Sequence, residues 1–131
     1  MKLRLAFLAT LVLLPLLAAA IPAPALNQPD LVIISVTSPN LDGGIVRVQV
    51  RNVGTADAAA SMITVQLTGL QTGTVNVPLQ AIKKGWTVLK DVQTGKPLSG
   101  VSYMVRVDRA NVLAESNEAN NTMSGQFGGK P

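Results

Sequence analysis

The sequence predicts an all-β fold, one seven-stranded sandwich with Greek-key connections preceded by an export segment. Three observations lead to it. Short runs of Val, Ile and Leu alternate with polar residues at a period of two, as in 45–52 (IVRVQVRN) and 101–108 (VSYMVRVD). Clusters of Gly, Pro, Asn and Asp separate those runs. With 47% hydrophobic residues, 11 Gly and 8 Pro, the chain is too apolar for disorder and too interrupted for a helical bundle. Its 131 residues leave room for one domain.

Residues 1–20 begin with Lys2 and Arg4, run through apolar residues 5–17 and end in three alanines. That is the order of a secretory signal peptide, with cleavage expected after Ala20 and Ala25 as the competing site. Pro15 interrupts the apolar run, which is shorter than the roughly 20 residues of a spanning helix, so cleavage is preferred over retention as an anchor and no stable membrane span is expected afterwards. Residues 21–29 hold Pro22, Pro24 and Pro29 and read as an extended linker. The sandwich then occupies 30–127, and 128–131 form a frayed tail.

In the first strand, 30–38, Val32, Ile34 and Val36 are expected to share one face, with Ser35 and Thr37 on the other. A turn at 39–44 (PNLDGG) leads into 45–52, where Val46, Val48 and Val50 point inward and Arg47, Gln49 and Arg51 outward. Asn52 and Gly54 end the alternation: the carboxamide can bond the backbone two residues on, and the glycine can take a left-handed conformation. The alanine-rich stretch 56–60 is too short to nucleate a helix and is read as a crossover loop. Residues 62–68 resume with Ile63, Val65 and Leu67 inward, followed by a weaker edge strand at 74–77 that Pro78 stops. Lys83 and Lys84 mark an exposed tip before a strand carrying Trp86, Val88 and Leu89. Residues 101–108 place Val101, Tyr103, Val105 and Val107 on one face, and 121–127 form the last strand.

Between the last two strands Asp108, Glu115 and Glu118 fall close to Asn111, Asn117, Asn120 and Asn121. Such side chains satisfy backbone groups where a chain changes sheet. The segments 30–33 (DLVI), 50–55 (VRNVGT), Leu79 with Gly85, and 107–122 with its E-S-N-E-x-N-N run together resemble the CARDB family, the cell-adhesion-related domain found in bacteria and archaea. The resemblance spans nearly the whole mature chain. It implies an immunoglobulin-like β-sandwich on exported or cell-surface proteins, usually repeated, without catalytic activity and with no ligand specified. The chain departs from the pattern in carrying one such module, and in placing Lys90 where the family more often has an inward apolar residue.

Two further sets of residues are candidates for binding. Asp108, Glu115 and Glu118, with neighbouring carboxamide and carbonyl oxygens, are the candidate ligands for calcium, which takes six to eight oxygens, although their spacing is not that of an EF-hand. Trp86 with Lys83 and Lys84 is the candidate contact for a sugar face or a protein partner, against the plainer reading of Trp86 as an edge packing residue. Asn120-Asn121-Thr122 is formally an N-glycosylation acceptor, but in an export context of bacterial type it is read as an ordinary turn.

The chemistry the chain lacks narrows its function. Without His or Cys there is no imidazole base, thiol nucleophile or disulfide, and no glycine-rich phosphate cradle is present. Glu115 and Glu118 sit in one tight turn, with no room for the cleft of a glycosidase. Omitting Lys2 and Arg4, 9 basic residues face 7 acidic ones and are scattered, which argues against nucleic acid as a partner. The expectation is a secreted, periplasmic or cell-surface module for adhesion, protein interaction, self-association or envelope assembly. The alternative is a calcium- or carbohydrate-binding accessory module.

Overall fold

The computed structural model describes residues 27–109 and 111–128. The expected signal peptide at 1–20, the alternative cleavage after Ala25, residues 21–26 of the expected linker and the tail from 129 onward lie outside them. The described residues form strands β1 (Leu31–Asn40), β2 (Ile45–Asn52), β3 (Ser61–Thr68), β4 (Gly73–Leu79), β5 (Thr87–Gln93), β6 (Ser102–Val107) and β7 (Thr122–Gln126), with one short 3₁₀ turn, Glu118–Asn120.

Two antiparallel sheets face each other, one in the order β1-β2-β5 and the other β4-β3-β6-β7. The connections β2 to β3, β4 to β5 and β5 to β6 cross between sheets, the Greek-key wiring of an immunoglobulin-like sandwich. The period-two alternation places the core: Val46, Val48 and Val50 of β2 face Ile63 and Val65 of β3 and Val105 and Val107 of β6, all essentially inaccessible. Leu79, Ile82, Leu98 and Val101 close the ends of this layer. Tyr103 is half-buried, its ring 4.6 Å from that of Phe127 between centroids. On the outer face Arg47 makes a two-point contact with Asp91 at 2.8 and 2.9 Å.

Three strands depart from the sequence expectation, each for a local reason. In β1 the pairing steps from Ile33↔Val50 to Ser35↔Gln49, so Ile34 is an extra residue and the face changes there. Leu31 and Ile33 are buried before the bulge, Ile34 is exposed, and Val36 rejoins the core after it. In β4 the strand runs through Pro78 to Leu79, because an edge strand tolerates a missing donor on its open side. In β5 the strand begins only at Thr87, leaving Trp86 in the preceding turn and turning Leu89 outward. Val88, Lys90 and Val92 take the inner face, and Lys90 is half-buried in register with Val48.

Candidate functional site

At one pole of the sandwich, where β2 and β6 end and β1, β5 and β7 begin, the polar residues singled out in the sequence converge on the incoming chain at Gln28–Leu31. The first contributor is Asn52, the last residue of β2, whose exposure is 0%. Its Oδ1 accepts from the N–H groups of Asp30 (3.1 Å) and Gly54 (3.0 Å), and its Nδ2 donates to the carbonyls of Ala56 (2.8 Å) and Ile82 (3.0 Å). One carboxamide thus fastens the incoming strand, its own turn and the crossover loop, with each donor and acceptor used.

Gly54 follows from the same packing. Its backbone is not left-handed, contrary to the sequence expectation. Instead a Cβ there would stand 2.4 Å from Gln28 O and 2.5 Å from Asp30 N, so the position admits only glycine because another backbone passes against it. Thr55 N–H donates to Gln28 O at 3.0 Å and Val53 N–H to Asp30 O at 2.8 Å. Gln28 and Pro29, at the end of the expected linker, are already bonded to the body.

The other side of the clamp comes from the β6–β7 loop. Asp108 is buried at the end of β6 with φ 52°, and its two carboxylate oxygens accept from Val112 N–H (3.0 Å) and Leu113 N–H (2.9 Å). That pairing rolls the loop back on itself. Glu115, 7% exposed, accepts from Leu31 N–H at Oε2 (2.7 Å) and from Asn121 Nδ2 at Oε1 (2.8 Å). Glu118 is exposed and accepts from Glu115 N–H (2.9 Å), while Asn117 caps the 3₁₀ turn by accepting from Ala119 N–H (2.9 Å). Asn120 Nδ2 donates to Asp30 Oδ1 (2.8 Å), and Ser116 N–H to Pro29 O (3.0 Å). Asn111 is exposed with φ 51°, its N–H donating to Asp108 O at 2.8 Å.

Electrostatically the loop is tense. Burial pushes the Glu115 carboxyl above its ordinary value; the bonds from Leu31 and Asn121 oppose this, and the charges of Glu118 and Asp108 reinforce it. Oxygens of Asp108, Glu115 and Glu118 lie within 4.8 Å of one another. The Oδ1 of Asn121, a residue only 5% exposed, has no hydrogen-bond partner among the described residues. Asn121, Asp108, Asn111 and Glu118 line a cavity of about 190 Å³ together with Arg106 and Arg109. On the other side of Asp108, a shallow, mainly apolar concavity of about 730 Å³ runs between Met62, Thr64, Asn76 and Val112.

Trp86 stands apart from this network although it is near it. Its carbonyl accepts from Asn52 N–H (3.0 Å) and its own N–H donates to Lys83 O (3.0 Å), while Gly85 N–H donates to Asn52 O (2.8 Å). Asp57 accepts from Lys84 N–H at 2.9 Å. The backbone of the tip is therefore fixed, yet the indole is 59% exposed, with Lys83 Nζ 5.0 Å from its centroid. The edge packing read from the sequence is not what Trp86 does.

These features define a class: an all-β binding-type module with an immobilised polar pole and no constellation of reactive groups among the described residues. The CARDB family model matches residues 28–125, and the chain belongs to that family. CARDB domains are non-enzymatic modules of cell-surface proteins. Among solved structures, a domain of a Methanosarcina acetivorans protein described as a cell-surface protein is similar at TM-score 0.62 and 23% identity, over 79% of this chain and 93% of that one. The CARDB domain of a Pyrococcus furiosus protein, crystallised in complex with di-metal ions, is similar at TM-score 0.51 and 20% identity, over 82% of this chain and 100% of the other. Both likenesses are likenesses of fold. No curated protein matches the chain. Among the described residues no helix is long and apolar enough to cross a membrane.

Proposed function

We propose that the chain is an exported, non-catalytic adhesion or protein-interaction module of the cell envelope, in which the polar pole fixes the domain on its incoming chain and the tip at 83–86 contacts a partner. The observation that carries this reading is the contrast in exposure. Asn52, Asp108 and Glu115 spend their polar atoms on hydrogen bonds inside the molecule, whereas Trp86 is held by two backbone bonds and left open. A rigid, exposed indole is the kind of side chain that dominates protein interfaces. The Lys83 ammonium over the ring leaves less of the indole free for a sugar and favours a protein carrying carboxylates. The test is adhesion of beads coated with the mature domain to isolated cell envelopes. Trp86→Ala should weaken adhesion about tenfold or more, and the pair Lys83→Ala, Lys84→Ala should reduce its salt sensitivity. Equal adhesion by all variants would place the contact elsewhere.

A second reading, calcium binding at the β6–β7 loop, is favoured by the unpartnered Asn121 Oδ1 beside three carboxylates, and the metal-bound Pyrococcus relative supports it. Oxygens that share one calcium ion at 2.3 to 2.6 Å stand at most about 5 Å apart, which these carboxylates satisfy. Arg106 and Arg109 on the same cavity weaken the attraction. At about 100 times its dissociation constant, calcium would add about 2.7 kcal/mol and raise the melting midpoint by several degrees. The rise should vanish in Glu118→Gln, whose backbone bond from Glu115 is retained. No rise in the wild type leaves the loop as a clamp alone.

A further inference from the structure

Among the described residues each sheet of the sandwich ends in two open edges, and three of these four edges carry a device that blocks pairing with another strand. In β4 it is Pro78, which cannot donate. In β5 it is Lys90, a charge on the inner face that a neighbouring strand would have to cover. In β1 it is the pair of register shifts, between Ile33 and Ser35 and between Thr37 and Asn40, which break the flat row of backbone groups. Strand β7, Thr-Met-Ser-Gly-Gln, has no proline, no charge and no register shift, and four of its five residues are exposed.

The direction of its free backbone groups follows from the bonds at its ends. Asn121 O accepts from Val107 N–H, and Phe127 N–H donates to Val101 O, so the backbone groups of residues at this parity face β6. Alternation then turns the N–H and C=O groups of Thr122, Ser124 and Gln126 away from β6, toward the open side. The side chains add no obstacle. Gly125 is bare on the inner face, where the Tyr103 hydroxyl occupies the place of a Cβ. Thr122, Ser124 and Gln126 share the outer face with Ser102, Met104 and Arg106 in register.

The geometry points to β7 as a strand-pairing edge whose occupant is β7 of a second copy of this chain, antiparallel about a two-fold axis at Ser124. This rests on the interaction-module reading and names one partner for it. Three outward-facing residues with Ser124 at the centre are self-complementary: Ser124 meets Ser124, and Thr122 meets Gln126 at either end, so each outward N–H and C=O finds a partner. No charge on β7 opposes the approach of the copy, whereas in β5 two inward lysines would have to be brought together. Five residues a side make a smaller contact than a standard interface, so the association is weak for free domains and gains from many copies tethered on one surface.

The natural chain has no Cys, which gives a direct test of register. Under mild oxidation of the mature domain, Ser124→Cys should cross-link to a dimer about tenfold faster than Thr122→Cys alone, because only position 124 meets itself. An equimolar mixture of Thr122→Cys with Gln126→Cys should cross-link as heterodimer. Ser124→Lys, with an unchanged melting midpoint showing that the fold is kept, should abolish the concentration-dependent rise in mass seen by sedimentation of the wild type. Equal cross-linking at 122 and 124, or a wild type that stays monomeric up to about 1 mM, overturns the proposal. That result leaves the adhesion reading standing if Trp86→Ala still impairs envelope binding; a Ser124-dependent dimer with no envelope adhesion sinks the adhesion reading instead.

Discussion

Two loops at the same pole of the sandwich use opposite kinds of residue in opposite ways. The β6–β7 loop is built from Asp, Glu and Asn, the residues most at home in water, yet Asp108, Glu115 and Asn121 are buried there. The tip at 83–86 carries the one tryptophan of the chain, and it is exposed. The difference lies in backbone demand. Where β6 ends and the incoming chain passes beneath, the N–H groups of Leu31, Val112 and Leu113 have no strand partner, and only acceptor side chains can satisfy them away from water. At the tip the turn closes with its own backbone bonds, so its side chains are free to face outward.

The sharpest way to break this contrast is Asn52→Ala. It removes four hydrogen bonds from a side chain with no exposure and leaves the Asp30 and Gly54 N–H groups and the Ala56 carbonyl unpaired, while Ile82 O keeps its bond from Ala58 N–H, so a loss of about 3 to 5 kcal/mol is expected in urea unfolding. Glu115→Ala strands the Leu31 N–H and the Asn121 Nδ2 and should cost about 2 to 4 kcal/mol. Glu115→Gln separates charge from shape. Because the folded domain holds this carboxyl above its ordinary value of 4.5, it binds the proton more tightly than the unfolded chain does. The resulting stabilisation is complete below about pH 4.5 and is lost as the pH rises through the elevated folded-state value. The stability of wild type minus Glu115→Gln should therefore shrink as the pH rises from about 4.5 through the elevated folded-state value; a difference that grows with pH would mean that the hydrogen bonds outweigh burial. The smallest effect belongs to the tip: Trp86→Ala should change stability by no more than about 0.5 kcal/mol, since most of the ring is in water.

Much of the fold was legible because strands that are wet on one face announce themselves. In β2 the expected range and the inward set Val46, Val48 and Val50 agree with the structure, as do Ile63, Val65 and Leu67 in β3. The expected β1 face is reversed before the bulge: Leu31 and Ile33, not Val32 and Ile34, are buried, and only Val36 keeps its expected place, because a bulge at Ile34 leaves no mark in a run of β-branched and aliphatic residues. At the pole, the Asn52 bond to Gly54 is local and follows from the residue type, but the approach of Gln28 to Gly54 joins segments far apart in sequence and has no local signal. The same holds for Glu115 and Leu31, which are 84 residues apart. Trp86 was read as edge packing because large apolar residues are usually covered; nothing near it in the sequence says that the strand starts one residue later.

The clamp on Gln28–Leu31 also has a mechanical consequence. Tension applied to the chain at residue 27 meets bonds on both flanks of the strand at once, to Asn52, Val53 and Thr55 on one side and to Glu115, Ser116 and Asn120 on the other. Beyond them the β1–β2 ladder lies across the direction of pull, so its bonds are loaded together rather than peeled one after another. Pulled from that end, the module resists in shear, and the residues that yield first are those that the family pattern marks.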